Sequence, residues 1–149
     1  MSLKKLTLTA ILCTTLDQIT KFWLFHKTPK TLIPGVLALI PVRNTGFSLG
    51  LFPDAVWPAI VLSVLLIGII IVMLCRVKMR PFPAFCLSAV LGGAVGNLID
   101  RIAFGYVRDF FDLLFIRFYV FNVADIMITV GIFMTCILLL TNREEHSFG

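Results

Sequence analysis

Charge is scarce in this chain. Of its 149 residues only 14% are Asp, Glu, Lys or Arg, against roughly 25% in soluble domains. At the same time 59% are hydrophobic and the mean hydropathy is +1.01. That balance excludes an ordinary soluble domain and marks an integral membrane protein. Histidine is scarcer still: His26 and His146 stand far apart, and no His-Glu-x-x-His run exists to hold zinc. A glycine-rich phosphate loop and a serine nucleophile elbow are also missing. The four cysteines, Cys13, Cys75, Cys86 and Cys136, all fall in apolar runs without Cys-x-x-Cys or histidine pairing, so they read as packing residues. Repeats and low-complexity tracts are lacking. The net charge of +5 is spread over loops instead of forming a stripe, which suits anionic lipid headgroups and not nucleic acid.

What is present is hydrocarbon-length sequence. Four stretches, at about residues 6–25, 56–75, 82–99 and 120–140, can each cross roughly 30 Å of hydrocarbon as a helix. The expectation is an all-α integral membrane bundle forming a single domain over 1–149. The first stretch is not a typical cleavable signal peptide, because Asp17, Gln18 and Lys21 lie within it and no Ala-x-Ala site follows. Lys4, Lys5 and the compact turn with Arg76, Lys78 and Arg80 favour cytoplasmic termini. Against them, Lys27, Lys30, Arg43, Arg101, Arg108 and Arg117 fall on the other side, so the bare count is a tie.

The connections differ in kind. Between residues 27 and 55, Leu32, Ile33, Val36, Leu37, Leu39, Ile40 and Val42 form a β-prone run broken by Pro34-Gly35 and Pro41. Short strands packed on the bundle mouth are expected there, with Arg43-Asn44-Thr45-Gly46 as a turn. Residues 79–81 make a tight helical hairpin. The third connection, Ile102 to Tyr119, places Arg108, Asp109, Asp112 and Arg117 among aromatic rings, a composition that belongs at the headgroup level.

Polar residues near hydrocarbon depth cost several kcal/mol by rough estimate and demand an explanation. Asp17 and Lys21 are spaced i, i+4 with the acid first, the better order for a helical ion pair. They admit a structural bridge or a direct role in binding substrate. Gly92-Gly93-Ala94-Val95-Gly96 permits close helix approach. After it Asn97, Asp100 and Arg101 share a helical face, and Asp100 is expected to hold Arg101 and the start of the next loop while Arg101 keeps donors for a carbonyl or phosphate. Asn122 and Asp125 share a face at the start of the last helix. Asp109 can meet Asp125 only if the intervening loop folds back. Capping or solvation of the anions is the ordinary explanation of two such aspartates near helix ends. If they do meet, both cannot readily ionise, and the pair shares a proton in the manner of aspartic peptidases, needing neither metal nor cofactor. A proton or cation relay in a transporter is the rival reading, but it predicts carboxylates spread through the bilayer depth, whereas these gather at one end.

The blocks Asp17-Gln18-Ile19-Thr20-Lys21, Asn44-Thr45-Gly46, Gly92 to Arg101, Val107-Arg108-Asp109-Phe110 and Phe121-Asn122-Val123-Ala124-Asp125 together resemble, in order, the motifs of bacterial lipoprotein signal peptidase (signal peptidase II). The resemblance spans Asp17 to Asp125. It implies four transmembrane helices with a small extracytoplasmic β cradle and an interfacial loop, and a catalytic dyad of Asp109 and Asp125 near the outer face of the cytoplasmic membrane. It further implies that Asn44, Gly46, Asn97, Arg101 and Asn122 line the substrate site, with Asp17, Lys21 and Asp100 in support. The implied reaction is hydrolysis of the bond before a diacylglyceryl-modified cysteine in a prolipoprotein. Membrane lipids and prolipoproteins are the expected partners, and a monomer the expected state. Phe47, Ser48 and Leu49 depart from the family pattern, which bears on the shape of the groove.

Overall fold

The computed structural model describes residues 1–46 and 56–144; the departure at Phe47 to Leu49 lies outside them. In chain order the elements are α1 (Leu3–Leu24), β1 (Lys30–Ile33), β2 (Leu37–Asn44), α2 (Val56–Arg76), α3 (Pro81–Phe104), β3 (Val107–Leu113) and α4 (Val123–Glu144). The helices coincide with the four expected stretches to within five residues at each end. Among the described residues α2 and α3 are long and apolar enough to cross a membrane. They differ in use. The most apolar part of α2 has a mean hydropathy of 3.0 and only 11% of it is buried in protein, whereas that of α3 has 1.7 and is 61% buried.

The third helix is therefore the hub, packed against α1, α2 and α4, and its glycines explain how. Gly92 lies against the Ala10 carbonyl and Cys13 of α1, each 2.6 Å from where a Cβ would stand. Gly93 lies against the Ala124 carbonyl of α4 at 2.7 Å, and Gly96 against the carboxylate of Asp17. Backbones approach this closely only where no side chain intervenes. Thr14 adds a hydrogen bond across the α1–α3 seam, its Oγ1 donating to the Gly92 carbonyl at 2.9 Å.

Polarity is distributed opposite to that of a soluble protein. Leu8, Ile11, Leu12, Leu16, Ile19, Phe22 and Trp23 of α1 are all exposed, while Asp17 and Lys21 of the same helix are 0% exposed. Outward apolar and inward polar faces suit a helix in a hydrocarbon solvent, where apolar surface has nothing to gain from burial. The helix ends obey ordinary rules. Pro81 opens α3, where its missing N–H costs nothing. Gly105, at φ 74°, closes it with its N–H donating to the Arg101 carbonyl at 3.1 Å.

The strands form an antiparallel sheet in the order β1-β2-β3. Pro34 and Gly35 supply the first turn: Gly35 has φ +70° and the Val36 N–H donates to the Ile33 carbonyl at 3.0 Å, the signature of a type II turn. Two sequence expectations need correction here. Arg43 and Asn44 are not a turn but the end of β2, paired with Arg108 and Val107. The interfacial connection contains a third strand, β3, hidden from a reading by alternation because Val107, Arg108, Asp109 and Phe110 are all buried. Between the pairs Leu39↔Phe111 and Val42↔Asp109 the register shifts, with Ile40 and Pro41 opposite Phe110 alone. Proline donates no ladder bond, and a bulge is where a strand tolerates it. Beyond that bulge Val42 stands opposite Asp109, and Asn44, two residues on, shares their face.

Close approach at Gly96 is testable against a glycine that nothing crowds. Gly96→Ala should lower the thermal midpoint of the purified protein and its yield in the membrane, since the added carbon meets the Asp17 carboxylate. Gly68→Ala, in α2 with nothing within 4 Å, should leave the midpoint unchanged or raise it, alanine being about 1 kcal/mol the better helix former. Equal effects from both changes would contradict glycine-dictated packing.

Candidate active site

Asn122 joins the two aspartates. It caps α4: its Oδ1 accepts the Asp125 N–H at 3.0 Å, while Asp125 Oδ2 accepts the Asn122 N–H at 3.1 Å. This reciprocal arrangement is a capping box. The amide of Asn122 remains free to donate, and its Nδ2 reaches Asp109 Oδ1 at 2.6 Å and Asn97 Oδ1 at 3.1 Å. The residue that caps α4 thus also bonds to both aspartates. The loop does fold back, because Phe121 pairs with Phe111 of β3 in both directions, N to O at 2.8 and 2.9 Å.

Each aspartate has a second partner. Asp109 Oδ2 accepts from Asn44 Nδ2 at 2.8 Å, and Asp125 Oδ1 from Asn97 Nδ2 at 2.8 Å. Asp109 is 1% exposed; Asp125 is half-buried. Burial, and then the neighbouring Asp125 charge, push the Asp109 carboxyl up to about 7, against the pull of its bonds from Asn44 and Asn122 and of Lys21. A group poised there exchanges its proton near neutral pH.

Gly46 acts on Asn44, its N–H donating to Asn44 Oδ1 at 3.0 Å. This asparagine turn leaves the Nδ2 end for Asp109. Asn44, Arg101 and Asp125 line a groove of about 470 Å³ with Leu113, Tyr119 and Ile126 among its apolar walls.

Beneath the aspartates lies a buried cluster of ions. Lys21 Nζ stands 2.8 Å from Asp17 Oδ2, 3.3 Å from Asp100 Oδ2 and 2.8 Å from Asn97 Oδ1. Asp100 does not hold Arg101, as the shared helical face suggested. It grips Arg108, with Nη2 at 2.7 Å, Nε at 3.2 Å and the Arg108 N–H at 2.9 Å. It does hold the segment after α3, through that backbone bond at the start of β3. Among the described residues Arg101 donates to the Asn97 carbonyl, at 3.5 Å, and it lines the groove. Two residues with no expected role complete the cluster. Arg108 is one, and Gln18 is the other, accepting from Arg108 Nη2 at 2.8 Å and donating toward Asp17, Asp100 and the Gly96 carbonyl at 3.1 to 3.3 Å. With β3 established as a strand, Asp109 facing one way means that Arg108 beside it faces the other.

With two carboxylates and two cations the cluster is neutral. Every buried side-chain nitrogen and oxygen among the described residues has a partner. No group of three or more metal-ligating side chains occurs among them.

Comparison with known proteins agrees with this geometry. The family model of signal peptidase (SPase) II matches residues 9–141. The lipoprotein signal peptidase of Streptococcus pyogenes serotype M1 is 34% identical over 147 residues, covering 95% of both chains, and that of serotype M5 (strain Manfredo) is equally similar. Among solved structures, a bacterial membrane enzyme determined in meso at 2.3 Å superposes with a TM-score of 0.88 at 25% identity, over 96% of this chain and 92% of that one. A second, at 1.9 Å, gives 0.82 at 26% identity over 93% and 94%. With its five motif blocks gathered around one asparagine-bridged pair of carboxylates, and the family match running through all of them, the chain belongs to the signal peptidase II family.

Proposed function

We propose that this chain is an aspartic endopeptidase of the membrane that removes the signal peptide from prolipoproteins, with Asp109 and Asp125 as its catalytic pair. The observation that carries the assignment is Asn122, which bonds to both carboxylates beside a groove. Asp109 holds the shared proton, being the more deeply buried. Asp125 is the base, bonded by Asn97 and the Asn122 N–H at the amino end of α4, where the helix dipole favours an anion.

Asp125 takes a proton from water as the water oxygen forms a bond to the scissile carbonyl carbon. Asp109 gives its proton to the carbonyl oxygen, which becomes a hydroxyl of the tetrahedral intermediate. Asp125 then passes its proton to the amide nitrogen, the C–N bond breaks, and Asp109 recovers a proton from the hydroxyl as the new carboxyl group forms. Arg101 and Asn44, both on the groove, are placed to donate to substrate carbonyls.

In this reading all four helices cross the membrane as one peptidase domain, and the chain works as a monomer. Both termini are cytoplasmic, and the sheet and the aspartates stand at the outer face of the bacterial cytoplasmic membrane. The bond cut precedes a diacylglyceryl-modified cysteine, whose acyl chains lie along Ile126, Val130 and the lipid beyond. Supporting this, the carboxylates lie at one end of the bundle, and the walls of the groove are aliphatic and aromatic.

Asp109→Asn or Asp125→Asn should each lower turnover at least about a hundredfold, the usual worth of acid–base catalysis, while membrane levels stay comparable. Cleavage of a lipidated precursor at matched enzyme amounts checks this, and near-normal turnover in either variant would remove the pair from the mechanism. Turnover should also fall as pH rises through about 7, where Asp109 loses its proton. A rate flat from pH 5.5 to 8.5, in protein shown to stay folded, would argue against a shared proton. Finally, a precursor lacking its acyl chains should be cleaved at least about a hundredfold less efficiently, since burying only about four methylenes at roughly 0.8 kcal/mol each is worth that much. Similar kcat/KM for matched lipidated and unlipidated precursors would restrict the assignment to peptide hydrolysis in general.

A further inference from the structure

We infer that Lys21 of α1, which bonds to neither catalytic carboxylate, is the positioning residue for Asp125 and acts through the side-chain amide of Asn97. This rests on the reading of Asp109 and Asp125 as the catalytic pair. An asparagine amide has an accepting end and a donating end, and their order decides what its neighbours receive. Asn97 stands between an ammonium and a carboxylate. The ammonium can only donate, so the end facing Lys21 must be oxygen, and it lies 2.8 Å from Nζ. Asn122 Nδ2 approaches the same oxygen at 3.1 Å. The donating end of Asn97 is thereby turned to Asp125 Oδ1, at 2.8 Å. With the ammonium gone, only the neutral Asn122 amide on the oxygen side, and the mobile Asp125 carboxylate itself on the other, would remain to hold that orientation.

Lys21 is itself fixed. Its three N–H bonds are matched by three acceptors, Asp17 Oδ2, Asp100 Oδ2 and Asn97 Oδ1, and its side chain is fully buried. Asp17 contributes a second hold. Its Oδ1 accepts the Ala124 N–H at 3.0 Å, one residue before the base. The pair on α1 therefore grips Asp125 twice, through its carboxylate by way of Asn97 and through its backbone by way of Ala124. A helix that supplies no reacting group sets the geometry of one that does.

The charges around this relay are Asp17 from α1, Asp100 and Arg101 from α3, Arg108 and Asp109 from β3, and Asp125 from α4. Lys21 helps hold the Asp109 proton less tightly. Taking away its charge lets the pair keep its proton to higher pH, so the alkaline limb of the rate profile moves upward.

The test is the neutral double variant Asp17→Asn with Lys21→Met, which strands no charge on α1 and keeps an acceptor for the Ala124 N–H. Per folded enzyme, kcat on a lipidated precursor should fall at least about tenfold, as expected when a reacting group is misplaced by a fraction of an ångström to an ångström. KM should stay within about twofold, and the alkaline limb should shift up. A pair that only stabilised the fold would leave kcat per folded enzyme unchanged, and that result would overturn the inference. Nitrogen-15 spectra of the unaltered enzyme give a second measure that no folding defect can obscure: the Asn97 side-chain amide protons should titrate together with the aspartate pair, and an Asn97 amide indifferent to pH would overturn it too. Asp125→Asn, assayed alongside, separates the two readings. Normal turnover there rejects the pair itself, whereas an inactive Asp125→Asn beside a fully active double variant rejects only the relay.

Discussion

An ammonium without water around it must find every partner in the protein, and Lys21 is that group. Its three bonds reach along α1 to Asp17 and across to Asp100 and Asn97 on α3. Asp17 extends the contact to α4 through the Ala124 N–H, and Asp100 extends it to β3 through Arg108. Between helices in lipid, apolar packing offers little preference for one arrangement over another, since lipid tails are as apolar as leucine. A buried charge does discriminate, because losing one partner leaves another exposed to hydrocarbon at a cost of several kcal/mol by rough estimate. The cluster thus specifies the relative placement of three helices and one strand, and the glycines of α3 allow the approach that its short bonds require.

The candidate site rests on the same constraint. Asp109, on β3, is bonded on both oxygens by asparagine amides, whereas Asp125 lines the groove. The two carboxyl groups, of unequal exposure, share the donors of one asparagine, and burial raises the proton affinity of Asp109. The three asparagines have complementary roles. Asn122 joins the acids, Asn44 closes Asp109 from the sheet, and Asn97 connects Asp125 to the ion cluster below.

The sheet places one of these three. Asn44 reaches Asp109 because a bulge at Ile40 and Pro41 brings Val42 opposite Asp109 and leaves Asn44 on the same face. A shift of one residue would turn Asn44 away, since side chains alternate along a strand. The proline that breaks the ladder is thus also what aims the amide.

Much of this was legible in the amino-acid sequence because it depends on local periodicity. Four long apolar stretches were readable as helices, since a helix satisfies its own backbone over such a length wherever water is scarce. Asp17 with Lys21, and Asn122 with Asp125, were readable as pairs because helical spacing alone puts them together. The spacing misled at Asp100 and Arg101: adjacent residues on a helix point about 100° apart, and Arg108, eight residues away, wins the carboxylate by presenting a fork and a backbone N–H at once. The third strand, the partnership of Asn44 with Asp109, and the role of Gln18 were decided by the tertiary structure. The last two join residues 65 and 90 positions apart, the strand pairs segments similarly remote, and no local rule carries a register across such a distance. The sequence by itself determined which residues would be costly to bury; only the fold decided which of them would meet, because a buried charge selects its partner by geometry in three dimensions and not by spacing along the chain.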